Sequence, residues 1–482
     1  MCGRGNPVFE QGIGSTLFFL CLIEKIGKNK GIMKNRFTLL IMLIILISGC
    51  SRNPSRQSRE RGRVETKETS ELVTKTDVEN QVFKPTPKFK PVVNIYIENS
   101  GSMNGFINEL SEYQDAIQNM LAWLEYYYDT ENIKLHYINE RIIFKENTTN
   151  ATLLNFAQKM LSPAEFKSNG NGASTNLNSI IRMILDATDE KTISILLSDN
   201  IYSISGTQTA PVLLAECKNK TLQAFLGKSK ELSKQHQQSL STTIIQLHSQ
   251  FNGNYWDYKH PTGRASQKLN CKRPYYMCVI GVDELISSFN ENFDIQKMNG
   301  YQNRYTLTDV GELNPKCSIL VNTYKAGRYR KTNDTTIREV TPDKRNNKLA
   351  FALAIDLNDI PLSDDEKCDL SLYETTEDYV VDEIIKIEDA TIAPIDVPSA
   401  QNCSHIIKIS TSNLNPSSFT LRMKRELPEW IKVSSSIDDT NIDSDIEEQK
   451  KTFGLEYFVT GIKDAYDKGV ENYFEINITI NK

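Results

Sequence analysis

Between residues 90 and 296, two sequence patterns alternate regularly. Short runs rich in β-branched residues, typical of buried strands, alternate with stretches in which apolar residues recur every three or four positions, as on one face of a helix. Strands that alternate with helices predict right-handed strand–helix–strand units and a doubly wound, mainly parallel sheet with helices on both faces. The predicted strands are 92–97, 133–144 (one or two strands), 192–197, 242–248 and 275–282, and the predicted helices are 104–128, 176–187, 211–232 and 283–290.

After about residue 300 the pattern changes to short strand-like runs, separated by clusters of Asn, Asp, Ser and Pro. This spacing favours antiparallel sheets packed as a sandwich. One helix is expected at 447–467, where an apolar stripe predicts that the helix packs on the sheet. The predicted fold is therefore α/β, with one domain over 91–296 and a β-rich, sandwich-like domain over 297–482. The strands predicted in the second domain are 349–357, 368–373, 406–410, 418–423, 430–434 and 473–480.

Polar residues are concentrated where the predicted strands of the first domain end. Glu98, Ser100 and Ser102 follow the first strand, Asp199 follows the third, and Thr175 precedes the second helix. In a doubly wound sheet, ligands bind outside the carboxyl ends of the strands, so these side chains are expected to lie close together. They supply only oxygen atoms, which are the ligands that Mg²⁺ and Mn²⁺ prefer.

The same five residues, taken in order and in structural context, resemble the metal-ion-dependent adhesion site of the von Willebrand factor A (vWA) family. The resemblance covers about 200 residues. It implies a vWA-like fold and a bound Mg²⁺ or Mn²⁺, whose open position accepts an acidic side chain from a partner protein. It also implies which residues hold the ion, namely Glu98, Ser100, Ser102, Thr175 and Asp199.

Two residues depart from the family pattern. Glu98 stands where the family has Asp, and Asn200 stands where Gly is common. The extra methylene of Glu98 is compatible with reaching the ion through a water, but also with loss of tight Mg²⁺ binding, which demands near-ideal octahedral geometry. A metal-free vWA scaffold for envelope assembly thus remains an alternative to a working metal site.

A metal-dependent envelope hydrolase is a third and weaker hypothesis. In it, Asp199 or Glu98 would act on a metal-bound water. Hydroxyl-rich ligation supplies no evident general base, and the sequence ties no histidine to the site. We therefore expect no enzymatic activity.

The amino-terminal region predicts export and a lipid anchor. Residues 37–49 are uncharged and largely apolar, and they follow Lys34 and Arg36. Thirteen residues are too few to span a bilayer as a helix but suit a secretory signal. The signal ends in Ile47-Ser48-Gly49-Cys50, which resembles the bacterial lipobox and implies that Cys50 is diacylated. The protein is then anchored in the bacterial cell envelope and faces the periplasm or the exterior.

This interpretation divides the amino-terminal region into three segments. Translation is expected to start at Met33, which makes residues 1–32 an over-extended start and 33–49 the signal peptide. Residues 50–90 comprise the lipid anchor and a flexible linker, which is too polar to offset the entropy of ordering.

The net charge, one aromatic segment and the cysteines are the remaining informative features of the sequence. With a net charge of −5, the chain lacks the basic excess of a dedicated nucleic-acid binder. Tyr255, Trp256 and Tyr258 lie in a long polar segment, and they are either partner-binding anchors or rings of a hairpin folded onto the domain. Six cysteines follow Cys50, and fifteen disulfide pairings among them remain open.

Overall fold

The computed structural model describes residues 90–108, 111–146, 151–170, 176–205, 207–258, 266–415 and 417–481. The predicted signal peptide, Cys50 and Thr175 lie outside these ranges. Phe83–Lys482 form one compact unit. Across the described residues, none of the helices has both the length and the apolar character needed to cross a bilayer.

A seven-stranded sheet lies at the centre of the α/β part, with the strand order β3-β2-β1-β4-β6-β5-β7. β1, β2 and β4 are parallel to one another, and every other pairing in the sheet is antiparallel. The strands are β1 (Val92–Glu98), β2 (Ile133–Ile138), β3 (Ile142–Phe144), β4 (Thr192–Ser198), β5 (Leu240–Tyr255), β6 (Gln267–Val282) and β7 (Tyr301–Thr308).

The sheet is therefore mixed, whereas the sequence predicts a mainly parallel one. The difference arises from β5 and β6, which form a hairpin paired along all sixteen residues of each strand, from Leu240 opposite Val282 to Tyr255 opposite Gln267. A hairpin needs no crossover helix, so β6 enters the sheet antiparallel to β4. The last strand, β7, lies beyond the domain boundary predicted at residue 296.

In the described part of 90–310, six helices accompany this sheet, and four of them coincide with the predicted ones. The helix predicted to start at residue 104 begins instead at Glu112, because the Ser111 side chain and Gln114 form a capping box there. Asn176 caps the next predicted helix, in which Ile180, Ile181 and Ile184 are buried. The helices are α1 (Glu112–Tyr127), α2 (Leu153–Met160), α3 (Pro163–Asn169), α4 (Leu177–Ala187), α5 (Ala210–His236) and α6 (Asp283–Asn292).

The β-rich part consists of two sheets that share one apolar core, including Phe351, Phe419 and Ile478, which confirms the sandwich-like arrangement. The strand orders are β12-β15-β18-β10-β9 and β13-β14-β11-β8. Their strands are β8 (Cys317–Ile319), β9 (Arg328–Asn333), β10 (Thr336–Thr341), β11 (Leu349–Ile355), β12 (Tyr373–Thr375), β13 (Val380–Lys386), β14 (His405–Thr411), β15 (Ser418–Lys424) and β18 (Asn472–Ile480), and a separate short pair comprises β16 (Ser435–Ser436) and β17 (Thr452–Phe453).

Three short helices occur in this part of the chain, namely α7 (Asp364–Lys367), α8 (Val397–Ala400) and α9 (Glu429–Val433). The strand predicted at 430–434 is wrong, because these residues form α9, which begins directly after Pro428. The fixed φ of proline suits the start of a helix.

The helix predicted at 447–467 is shorter and packs elsewhere. It is α10 (Leu455–Asp467), and it lies against α5 of the α/β part rather than on the sandwich. Gly461 makes the approach possible, since a Cβ there would lie 2.8 Å from the carbonyl oxygen of Lys218. Lys218 also forms an ion pair with Asp464 at 2.8 Å. The chain thus leaves the α/β part, builds most of the sandwich, and returns.

Candidate metal centre

The candidate site is built where the adjacent parallel strands β1 and β4 end. Ile97 lies opposite Leu197 in the register, so Glu98 and Ser198 end the two strands side by side. Asp199 follows β4 directly, and Ser100 and Ser102 occupy the turn after β1. Glu98 and Asp199 are each only 5% exposed. The sheet register alone therefore brings two buried carboxylates to one point.

Hydroxyl groups connect the two carboxylates. Ser198 Oγ donates to Glu98 Oε2 at 2.5 Å, and Ser100 Oγ lies 3.1 Å from Ser102 Oγ. Ser100 also hydrogen-bonds with Glu98, and Ser102 with Asp199. Four of the five predicted site residues therefore form one cluster.

Thr175, the fifth predicted residue, lies outside the described part of the chain. Gly170, the last described residue before it, contacts the end of β1: a Cβ at Gly170 would lie 2.7 Å from the carbonyl oxygen of Asn99. Asn139 Nδ2 also donates to Asn99 Oδ1 at 2.8 Å. Gly170 and Asn139 therefore lie beside Asn99, the residue that follows Glu98.

Burial makes the cluster electrostatically unfavourable for two negative charges. Burial raises the pKa of Glu98 to about 8, and the charge of Asp199 adds to this rise. Burial likewise raises the pKa of Asp199, although the guanidinium of Arg273 opposes that rise. No lysine or arginine in the described ranges forms an ion pair with either carboxylate. A bound cation would stabilise both ionised carboxylates.

The donor set fits a hard divalent cation. It consists of the carboxylate oxygens of Glu98 and Asp199 and the hydroxyl oxygens of Ser100 and Ser102. Among the described residues, no group of three or more His, Cys, Asp or Glu side chains is placed to hold a metal ion. An ion beside Glu98 and Asp199 would find the hydroxyl oxygens of Ser100 and Ser102 nearby, and Mg²⁺ and Mn²⁺ accept oxygen ligands of this kind together with waters.

Asn200 has a conformational reason to replace glycine. Its φ is +53°, in the left-handed region that favours glycine, and Asn is one of the few other residues that adopt it. Its backbone N–H donates to Ser198 Oγ at 2.9 Å, and its Nδ2 donates to Cys278 Sγ at 3.4 Å. Asparagine therefore suits the left-handed backbone at this position.

Two residues near the cluster are absent from the sequence prediction. Ser198 precedes the recognised motif, but the parallel register of β1 and β4 places it beside Glu98. Arg273 is 2% exposed, stacks on the Tyr255 ring at 4.5 Å, and donates to the carbonyl oxygens of Gln449 and Lys451. Arg273 lies just before the predicted buried strand 275–282, and a charged residue at a strand end is ordinarily expected to be exposed.

Two of the three aromatic residues near the tip of the β5–β6 hairpin pack on the domain, and the third is exposed. Tyr255 is buried and its hydroxyl donates to Asp439 Oδ2 at 2.7 Å, while Tyr258 stacks on Phe453 at 5.6 Å. These two rings fold onto the domain. Trp256 is 42% exposed and borders a groove beside the candidate site.

That groove has a volume of about 490 Å³ and begins at Gly101, within the turn that carries the site serines. Lys167 and Lys268 contribute positive charge, and none of the described residues that line the groove carries a carboxylate. Lys167 Nζ donates to Asn108 Oδ1 at 3.0 Å. A segment lying in this groove would therefore meet a cationic, partly aromatic surface next to the carboxylate cluster.

Comparison with known proteins adds no assignment, since no protein-family model matches the chain and no curated protein matches its sequence.

Proposed function

We propose that this chain is a lipid-anchored protein of the bacterial cell envelope that binds a protein partner through a metal-ion-dependent adhesion-type site. One observation carries the proposal: Glu98 and Asp199 are buried together, with the hydroxyls of Ser100 and Ser102, at the carboxyl ends of two adjacent parallel strands. The α/β part is proposed to be vWA-like on the same residues.

The five residues of the site divide among three proposed roles. Asp199 supplies formal charge to Mg²⁺ or Mn²⁺, and Ser100, Ser102 and Thr175 supply hydroxyl oxygens. Glu98 acts through a bound water, which its longer side chain permits. The ion, when bound, offers an open position to an acidic side chain of the partner. Lys167 and Lys268 beside the site favour an acidic partner segment.

Thermal melting of residues 83–482 tests the metal site. A ligand that binds only the native state stabilises it, by about 2.7 kcal/mol at 100 times its Kd. We expect a higher melting temperature in Mg²⁺ or Mn²⁺ than in chelator. Asp199→Asn is expected to abolish this difference, because it removes charge at nearly constant volume. Glu98→Asp, which introduces the family residue, is expected to keep or increase it.

Asp396→Asn is the matched control. Asp396 is 1% exposed and accepts hydrogen bonds from the backbone N–H groups of Val321, Asn322 and Thr323, within the sandwich. This variant is expected to melt at a lower temperature while keeping the full metal-dependent difference. Identical melting of the unaltered protein in Mg²⁺, Mn²⁺ and chelator, with no heat of binding by calorimetry, would reject the metal site.

A metal-free scaffold is the second candidate. The hydrogen bond from Ser198 to Glu98, and those among the serines and Asp199, support it because they satisfy the cluster internally. Capture of partners from solubilised envelope, with and without Mg²⁺, separates the two functions. Partners retained equally in chelator would favour the scaffold.

The lipid anchor is tested by mass spectrometry of the mature amino terminus. We expect residues 1–49 to be absent and Cys50 to carry two acyl chains. Retention of Met33, or an unmodified Cys50, would contradict the anchor. Neither outcome bears on the metal site.

A further inference from the structure

An exposed aromatic patch, formed by Trp123, Tyr126 and Tyr127, lies at the carboxyl end of α1. Tyr126 is 78% exposed and Tyr127 is 41% exposed. Trp123 stacks on Tyr127 with centroids 5.8 Å apart, and Tyr126 meets Tyr127 edge-on at 4.9 Å. Trp123 also contacts the buried ring of Phe293 edge-on, at 6.4 Å. These rings are therefore held in place yet largely open to solvent.

The aromatic patch lies where the chain enters the compact unit. Lys90 Nζ is 2.7 Å from Asp129 Oδ1, two residues after Tyr127. β1 starts at Val92, and Val93 pairs with Ile133 at the same end of the sheet. The preceding chain, about 40 residues long, leads back to the proposed lipid anchor at Cys50. The membrane that holds this anchor is thus connected by the chain to the end of the compact unit that carries the aromatic patch.

The candidate metal site is at the other end of the same strand. Glu98 follows Val92 by six residues, which corresponds to about 20 Å along β1. Trp256, beside the metal site, marks that far end. A membrane contact at the aromatic patch would turn the metal site away from the bilayer.

We propose that the aromatic patch docks on the surface of the phospholipid bilayer that carries the anchor. Trp and Tyr rings prefer the headgroup level of a bilayer, since they are apolar with one polar group. The sequence next to the patch carries both signs of charge, with the half-buried Glu125 and Asp129 and the exposed Glu131 alongside the exposed Lys90 and Lys134. The contact therefore depends on the rings and not on anionic lipid. The tether raises the local concentration of the surface, so a weak contact suffices.

Tryptophan quenching by brominated lipid tests this orientation. The chain from Ser51 to Lys482 contains the whole compact unit, and an amino-terminal hexahistidine attaches it to phosphatidylcholine vesicles that contain nickel-chelating lipid. The test is thus independent of whether Cys50 is acylated. Trp256→Phe/Trp430→Phe leaves Trp123 as the reporter, and Trp123→Phe/Trp430→Phe leaves Trp256. Quenching is taken as the ratio of emission with brominated and unbrominated acyl chains.

We expect Trp123 to be quenched at least twofold more than Trp256. Tyr126→Ser/Tyr127→Ser is expected to lower Trp123 quenching to the level of Trp256, whereas Phe144→Ser, which removes an exposed ring on β3, is expected to leave it unchanged. Equal quenching of the two reporters would overturn the proposal. So would Trp123 quenching that disappears in 0.5 M NaCl, because it would assign the contact to residues 51–90, which carry ten Lys and Arg against six Asp and Glu.

Discussion

Asn200 has a backbone conformation that few residue types adopt. Its φ of +53° suits glycine or asparagine, and its side chain bonds to Cys278 inside the sheet. Asn200→Ala is expected to lower the free energy of unfolding by about 1–2 kcal/mol, since a left-handed backbone is unfavourable for alanine and one hydrogen bond is lost. Asn200→Gly is expected to cost less than Asn200→Ala. Urea denaturation at pH 7 measures both, and equal losses would contradict this account.

Glu112 gives the molecule a defined pH dependence. Its pKa lies near 2, below the ordinary 4.5, although burial acts to raise it. The Gln250 backbone N–H, at 2.8 Å, and Lys272 Nζ, at 2.9 Å, favour the ionised form and outweigh burial. A lowered pKa contributes stability above the unfolded value of 4.5, and this stability is lost as the pH falls towards 2.

Glu112→Gln tests this dependence. At pH 7 the variant is expected to lose about 1–2 kcal/mol of the free energy of unfolding, in the range for hydrogen bonds to charged groups. The difference from the unaltered protein should shrink below pH 4.5 and approach zero near pH 2. Glu131→Gln, at an exposed glutamate, is expected to leave the free energy of unfolding unchanged both at pH 7 and near pH 2. A difference that grows as the pH falls would contradict the argument.

At the scale of secondary-structure elements, the contact between α10 and α5 offers a matched pair of glycines. A Cβ at Gly461 would lie 2.8 Å from the Lys218 carbonyl oxygen and 2.9 Å from Thr221 Cβ, whereas nothing lies within 4 Å of a Cβ at Gly227. Both glycines are helical. Gly461→Ala is expected to lower the free energy of unfolding by about 1–3 kcal/mol through overpacking. Gly227→Ala is expected to raise it by about 0.5–1 kcal/mol.

Chemical denaturation distinguishes these outcomes. Helix propensity alone would raise the free energy of unfolding in both variants, whereas overpacking lowers it in Gly461→Ala. A stabilised Gly461→Ala variant would mean that α10 and α5 separate easily.

The periodicity of apolar residues predicted the strands and helices better than it predicted which of them pack together. The strands β1 and β4 and the helix α4 follow from runs of apolar residues, and strand order in the chain placed Glu98 and Asp199 at one edge. The extension of β5 over 252–255 and of β6 over 267–273 could be offered only as one alternative, a folded-back hairpin, because the polar residues there hide the alternation of a strand. The stripe on α10 predicted a packed helix but could not say which surface it covers, since any apolar surface satisfies such a stripe.

At the scale of the whole molecule, the core of the α/β part is built from two separate stretches of the chain. One precedes the strands of the sandwich, and the other is α10, which follows most of them. Phe458, Val459, Ile462 and Tyr466 of α10 belong to this core. Burying four such side chains contributes roughly 6–12 kcal/mol, comparable with the about 5–15 kcal/mol that stabilises a typical domain. The fragment 83–310 is therefore expected to lack a cooperative unfolding transition in urea, followed by circular dichroism. Addition of a peptide spanning 428–470 is expected to restore part of the transition. A fragment with the midpoint of 83–482 would contradict this dependence.

The return of the chain from the sandwich to α10 also sets the order of events during synthesis. The sheet of the α/β part is finished at Thr308, yet its core stays open until Asp467 has been made. At about 5–20 residues per second, roughly 8–30 s separate these two points on the ribosome. During that interval the nascent chain has no complete native core to fold into, and an incompletely folded chain is what the proposed export through a narrow channel would require.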